Sequence, residues 1–227
     1  MSGGAHVGSM DAVRDFRAAL VTFAHEARES LTRALREDEE YAEAWFLKAL
    51  VDQRAGDLVE AERGYRRALE LNPSFAQAAF HRALLHMVQV QLCAHTPYVD
   101  RSGDVREALT GLQKSAEEAQ TLAQNSFDRW CSMALGHLFA RRIGEALESL
   151  EKVRVEGSGQ YVLHLVRACI HLENRDSENG LKELSAALDL EPASFEALFL
   201  RSTSRLAARD RQGALEDADR LLQLAPE

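Results

Sequence analysis

Any chemistry on this chain would have to come from histidine, cysteine and clustered carboxylates. Eight histidines and three cysteines are spread over 227 residues. The tightest grouping is His86, Cys93 and His95, and imidazole and thiolate are the ligands that suit a tetrahedral zinc ion. A structural zinc site needs four such ligands, and no fourth stands nearby, so no metal is assigned. Arg36 to Glu43, read REDEEYAE, gathers carboxylates where one helical run ends and the next begins. Acidic side chains in that place favour a helix N-terminus and stay solvated. The sequence holds no glycine-rich phosphate loop, no G-x-S-x-G elbow and no H-E-x-x-H pair. With no convergent polar set, the chain reads as a non-enzyme that uses no cofactor.

Composition points to a folded helical protein. At 46% hydrophobic and 28% charged residues, the chain is too apolar for disorder and too polar for a membrane bundle. Its 13 glycines and 4 prolines are too few turn-makers for a many-stranded sheet. The net charge, 27 − 36 = −9, disfavours nucleic acid or anionic membrane as partner. No apolar run nears the roughly 20 residues needed to span a bilayer, so no membrane insertion is expected. The opening MSGGAHVGSM lacks the charged head and apolar core of a signal peptide, and residues 1–10 read as a disordered lead-in. Cys93, Cys131 and Cys169 are odd in number and far apart, which argues against a disulfide framework and for a reducing, cytoplasmic setting.

The helical runs are punctuated with a period. Pro192 and Pro226 close LDLEP and LQLAP, and 226 − 192 = 34; a step of 34 back from Tyr161 reaches Phe127, where another alanine-framed pair of runs begins. Such a period belongs to a solenoid, in which each unit buries its apolar face on its neighbours. In residues 42–75 the first run, AEAWFLKALVDQRA, breaks at Gly56-Asp57, and the second, LVEAERGYRRALEL, ends at Asn72-Pro73, since proline cannot continue a helix. Small residues recur at one phase: Ala49, Ala61 and Ala68, then Ala168, Gly180 and Ala187. They let two antiparallel helices approach closely.

The spacing of Trp45, Ala49, Gly56, Ala61, Tyr65, Ala68 and Pro73 resembles the tetratricopeptide repeat. Units with that likeness begin at Ala42, Ala76, Phe127, Tyr161 and Phe195. The resemblance implies an all-α fold, a right-handed superhelical solenoid of antiparallel helix pairs, with five pairs over 42–227. The unit from Phe127 keeps Trp130, Ala134, Ala146 and Leu150 but lacks the closing proline. In the unit from Ala76 the turn arrives only at Gly103-Asp104, so residues 90–102 form an insertion. That insertion reads as a tolerated surface loop or as a recognition element on a rigid scaffold. Ahead of the solenoid, in segment 11–41, Val13, Phe16, Leu20, Phe23, Ala27, Leu31 and Ala34 form one apolar stripe, which predicts a long helix from Asp11 to about Arg36. His86, His137 and His171 each fall eleventh in their units, where the resemblance implies an aromatic packed between helices. Equivalent positions in stacked units lie about 10 Å apart, too far for shared zinc bonds of about 2.1 Å, so these histidines read as packing residues.

First and second helices differ in character. EALESLEKV (Glu145 to Val153) is amphipathic, whereas YVLHLVRACIHL (Tyr161 to Leu172) carries Arg167 as its one certain charge. A helix apolar on every side is buried on every side. The resemblance implies that first helices line a concave groove with their fifth, ninth and twelfth positions. Here those positions include Phe46 and Leu50; Phe80, Leu84 and Met87; Cys131, Leu135 and Leu138; Leu165, Cys169 and Leu172; and Phe199, with Gln53 as a polar member. The chaperone-binding branch of the family carries lysine, arginine and asparagine there, a clamp this chain lacks. The function expected is a protein–protein interaction scaffold or adaptor, whose groove takes an apolar or amphipathic segment of a protein partner. The alternative is a structural homo-oligomer whose groove is filled by its own N-terminal helix or insertion. Leu222 and Leu224 fall where a following helix would pack, so a further segment or second chain is expected at that end. Leu222→Glu with Leu224→Glu should then shift the oligomer size seen by sedimentation; a double variant that sediments as the parent does would remove that contact.

Overall fold

The computed structural model describes residues 25–94, 102–153 and 159–224, and among them every regular element is a helix. Helix α1 covers residues 25–37. Five pairs follow: α2 (Ala42–Arg54) with α3 (Leu58–Leu71), α4 (Ala76–Ala94) with α5 (Ser102–Leu122), α6 (Ser126–Phe139) with α7 (Ile143–Glu151), α8 (Gly159–Glu173) with α9 (Ser177–Leu190), and α10 (Phe195–Ala207) with α11 (Arg211–Leu224). Each first helix lies against its own second helix, and each second helix lies against the next first helix. This is the solenoid of antiparallel pairs that the 34-residue period predicts.

Local chemistry explains the boundaries. The carboxylates of Asp57, Asp176 and Asp210 each accept a backbone N–H of the following turn, from Glu60, Asn179 and Gly213. Asn125 and Ser194 cap α6 and α10 in the same way. Each such cap is worth about 1 kcal/mol. The chain reverses between paired helices through a left-handed residue, Gly56 at φ 85°, and, 34 residues apart, Arg141 at 59°, Arg175 at 59° and Arg209 at 66°. A non-glycine residue there costs about 1 kcal/mol, which the aspartate caps at the next position offset in the last two pairs. The small residues do set the approach distance. Ala49, Ala61 and Ala68 are fully buried, and a Cβ added to Gly64 would come within 2.8 Å of the Ala49 methyl.

The expected departures resolve in part. Residues 90–94 of the insertion continue α4 rather than leaving it, while 95–101 lie outside the described residues, so the choice between loop and recognition element is not decided. The lead-in and residues 11–24 of the expected long helix also lie outside them. The described part, α1, is tied to the first pair by Arg28, whose Nε donates to Asp52 Oδ1 at 2.6 Å, with Lys48 Nζ on Oδ2 at 2.7 Å. The eleventh-position histidines bridge first to second helices. His86 Nδ1 meets Ser115 Oγ at 3.0 Å, His137 faces Glu145 at 3.4 Å, and His171 faces Asp176 at 3.1 Å. The side chains of Cys93 and His95 are outside the described residues.

The last pair is stitched by charge. Asp217, on α11, is buried, and accepts from Arg201 Nη2 at 2.6 Å, Arg201 Nε at 2.9 Å and Arg205 Nη1 at 2.9 Å. Leu224 packs against the core, whereas Leu222 is 73% exposed and Leu206 and Leu215 are each 60% exposed. Asp217→Ala would leave the Arg201 guanidinium without a carboxylate and Arg205 with Asp210 at 3.6 Å. It should lower unfolding stability by about 3 kcal/mol in a urea titration; a loss no larger than an exposed ion pair gives would contradict this account of the last pair.

Candidate partner-binding groove

The inner faces of α2, α4, α6, α8 and α10 are the candidate site. Phe46, Phe80, Leu84, Met87, Cys131, Leu135, Leu138, Leu165 and Cys169 are buried, none more than 8% exposed. Leu50, Leu172 and Phe199 are half-buried against the same core, with Leu172 lying over Gly180 of its own pair. The stripe expected as an exposed groove is therefore an interior in this arrangement. The reason is geometric. First helices touch not only their neighbours in the series but across the curve, α4 with α8 and α10, and α2 with α10. Apolar faces that would otherwise meet water meet one another, each Å² of burial contributing about 25 cal/mol.

Aromatic contacts carry much of this interior. The rings of Phe46 and Phe75 are 5.0 Å apart, and Phe80 meets Phe127 edge-on at 5.8 Å. His81 sits among Phe46, Tyr65 and Phe80, and burial, helped by the Arg54 charge, pushes it down to about 4. Burial also pushes the Cys131 thiol up to about 12, with the Asp128 charge adding, and raises Cys169 likewise, with Glu173 adding. Such thiols are poor nucleophiles. They are packing groups. Among the described residues no cluster of three or more His, Cys, Asp or Glu could hold a metal ion.

Where α2 meets α10 the interior turns polar. Arg54 Nη2 donates to Glu191 Oε1 at 2.9 Å. The Phe195 ring lies on Gly56 so closely that a Cβ there would come within 2.8 Å of it. Behind this pair of contacts Glu196 is only 2% exposed. Ser194 Oγ donates to its Oε2 at 3.0 Å, and the Gln53 amide also bonds it. Tyr65 OH donates to Gln53 Oε1 at 2.6 Å, and Tyr161 OH lies 2.6 Å from Ser194 Oγ. This chain of bonds links α3, α2, α10 and α8. Burial raises the Glu196 carboxyl above its ordinary value of 4.5, opposed by these bonds and by Arg54. Of these residues the sequence singled out Gln53 as a groove position and Gly56, Tyr65, Tyr161 and Phe195 as markers of the repeat, but not Arg54, Glu191, Ser194 or Glu196. Glu196 was legible in principle, as a carboxylate in an otherwise apolar first turn.

A stack of antiparallel helix pairs that reuses one turn every 34 residues is a helical-repeat solenoid. Tetratricopeptide-repeat family models match residues 42–75 and 165–227, so those two stretches carry tetratricopeptide repeats. Two solved structures with similar folds are a thermophilic tetratricopeptide-repeat protein of Thermus thermophilus and one from Parabacteroides merdae. The first has a TM-score of 0.53 and 12% identity over 85% of this chain and 96% of that one. The second has a TM-score of 0.52 and 16% identity over 91% of this chain and 74% of that one. At such identities the likeness concerns the fold alone. No curated protein matches the chain by sequence. Tetratricopeptide repeats in general mediate protein–protein interaction. Among the described residues no helix is long and apolar enough to cross a membrane.

The buried carboxyl has a pH signature. Because the folded chain holds the Glu196 proton more tightly than the unfolded one, this group's contribution is fully present below 4.5 and is lost as pH rises through the raised value. Glu196→Gln keeps the shape and removes the charge. The variant should match the parent in urea stability at about pH 4 and exceed it at about pH 8. A variant less stable than the parent at the higher pH would mean that the ionised carboxylate is favoured there.

Proposed function

We propose that this chain is a cytoplasmic protein-interaction scaffold that takes an apolar or amphipathic segment of a partner protein along the inner faces of its first helices. The observation that carries this reading is the continuity of that face. Aromatic and aliphatic side chains run along α2, α4, α6, α8 and α10, interrupted by polar groups such as the cluster around Glu196 and the Gln91–Glu173 bond. An amphipathic helix could replace the contacts these faces now make across the curve, anchoring on Phe80, Leu135 and Leu165 while its polar side faces water. A non-catalytic role is supported by the use made of the polar groups. His164 and His171 bond carboxylates on, or capping, a neighbouring helix, and His86 and His137 lie within 3.4 Å of one, while the buried thiols Cys131 and Cys169 are unpaired, as suits a reducing compartment.

A second reading rests on a different surface. Leu206, Leu215 and Leu222 are all exposed on the last pair, which favours association of two copies through that end. Photo-crosslinking separates the two. A benzophenone side chain is placed at Leu50 or Phe199, half-buried on first helices, or at Val59 or Leu222, both exposed. The first reading expects crosslinks from Leu50 and Phe199 into one apolar or amphipathic stretch of another protein, mapped by mass spectrometry. Crosslinks confined to Leu222 and joining two copies of this chain would support self-association instead; crosslinks from Val59 alone would contradict both.

A further inference from the structure

We propose that the contact between α2 and α10 is a latch, an autoinhibitory seam whose parting lets the five pairs spread and uncovers the apolar inner face. The inference rests on the proposed function in one respect, that the uncovered face is the one assigned to a partner; the opening itself needs no partner.

The seam joins the first and last pairs of the stack, further apart in sequence than the pairs that α4 joins by reaching α8 and α10, or by Gln91 Nε2 donating to Glu173 Oε1 at 2.7 Å. Each pair is held by its sequence neighbours, as in any solenoid. Arg54 and Glu191, by contrast, are 137 residues apart, and no neighbour-to-neighbour packing requires them to meet. Parting them need not unpack any helix pair, since α2 and α10 belong to different pairs. Composition points the same way. At the seam Gln53, Ser194, Glu196, Tyr65 and Tyr161 form the chain of hydrogen bonds described above, as Gln91 and Glu173 form a single bond between α4 and α8. Polar groups re-form their bonds with water when a contact opens, so a polar seam opens more readily than an apolar one of equal area. Arg54 is already half in solvent, its side chain 55% exposed, and an ion pair so placed makes and breaks easily.

The fit is nonetheless specific. Gly56, in its left-handed turn, leaves open the space that the Phe195 ring fills, and Phe195 in turn stacks on Phe199 at 6.1 Å. A surface that closes this closely and yet is polar at its centre can reform after opening. Closure also responds to charge. The groups that face Glu196 are Gln53 and Arg54 from α2, Tyr65 from α3, Tyr161 from α8, and Ser194 ahead of α10. Within this set Arg54 is the cation, and it is shared with Glu191. Removing Arg54 leaves Glu191 and Glu196, both on the α10 side of the seam, without the cation that α2 brings to them.

Cys131 and Cys169 report on opening, because both are fully buried on inner helices. In a Cys93→Ser background, the rate at which a thiol reagent modifies them is measured for the parent, for Arg54→Glu and for Arg54→Glu with Glu191→Arg. The latch predicts that Arg54→Glu raises both rates by about 3- to 10-fold and that the charge swap returns them to within about twofold of the parent. It further predicts that the rates rise with urea less steeply than global unfolding does, since opening exposes less surface. Unchanged rates in Arg54→Glu overturn the latch. So does an acceleration that the swap fails to reverse, or one whose urea slope equals that of unfolding, since either means general destabilisation. If the thiols respond as predicted while crosslinks avoid the inner face, the latch stands and the assignment of a partner to that face falls.

Discussion

The apolar stripe along five first helices has to be kept from water, and the form of the molecule follows from that constraint. In an open solenoid one side of each first helix is bare. Here the curve is tight enough for α4 to reach α8 and α10 and for α2 to reach α10, so bare faces cover one another. The same requirement explains the residues between helices. Close approach within a pair depends on small side chains such as Ala49 and Gly64, and sharp reversals depend on left-handed residues followed by aspartate caps. Without these, the pairs would splay and the interior could not close.

Closure concentrates the polar chemistry of the interior in one place. A carboxyl as buried as Glu196 is tolerated because Ser194 and Gln53 satisfy its oxygens, and because Tyr65 and Tyr161 extend the network to two further helices. Two further buried carboxylates sit in matched sets, Asp52 with Arg28 and Lys48 at one end of the stack and Asp217 with Arg201 and Arg205 at the other. Those sets fasten α1 to the first pair and α11 to the last, whereas the Glu196 cluster fastens the ends of the curve to each other. The first two contacts join near neighbours and stiffen pairs. The third joins the far ends of the curve and shelters the inner face together with the contacts of α4 to α8 and α10.

Much of this was legible in the sequence, for a physical reason. Helix pairing is local, so the Gly56-Asp57 and Asn72-Pro73 breaks and the phased alanines announce it within one unit. The apolar character of YVLHLVRACIHL likewise announced burial on every side, and α8 is buried so. What it could not announce was the covering. The resemblance suggested an open groove, and the closing contact joins residues 137 apart with no periodic trace. The left-handed arginines were illegible for another reason: arginine carries no conformational signal of its own, and only the 34-residue spacing marks Arg141, Arg175 and Arg209. The length of α4 could have been read. Val90 to Ala94 contains no helix breaker, and the first proline comes at Pro97.

The central claim, that the stack is closed end to end through α2 and α10, is a statement about one distance. Val59, 77% exposed, and Pro192, also exposed, flank the seam on its two sides. Spin labels carried on unnatural side chains at these two positions, read by pulsed electron resonance, measure that distance directly in the folded chain. The account predicts a short, narrow distance as the major population, with a minor longer one when the latch is open. A single broad, long distribution would show an open solenoid and contradict it.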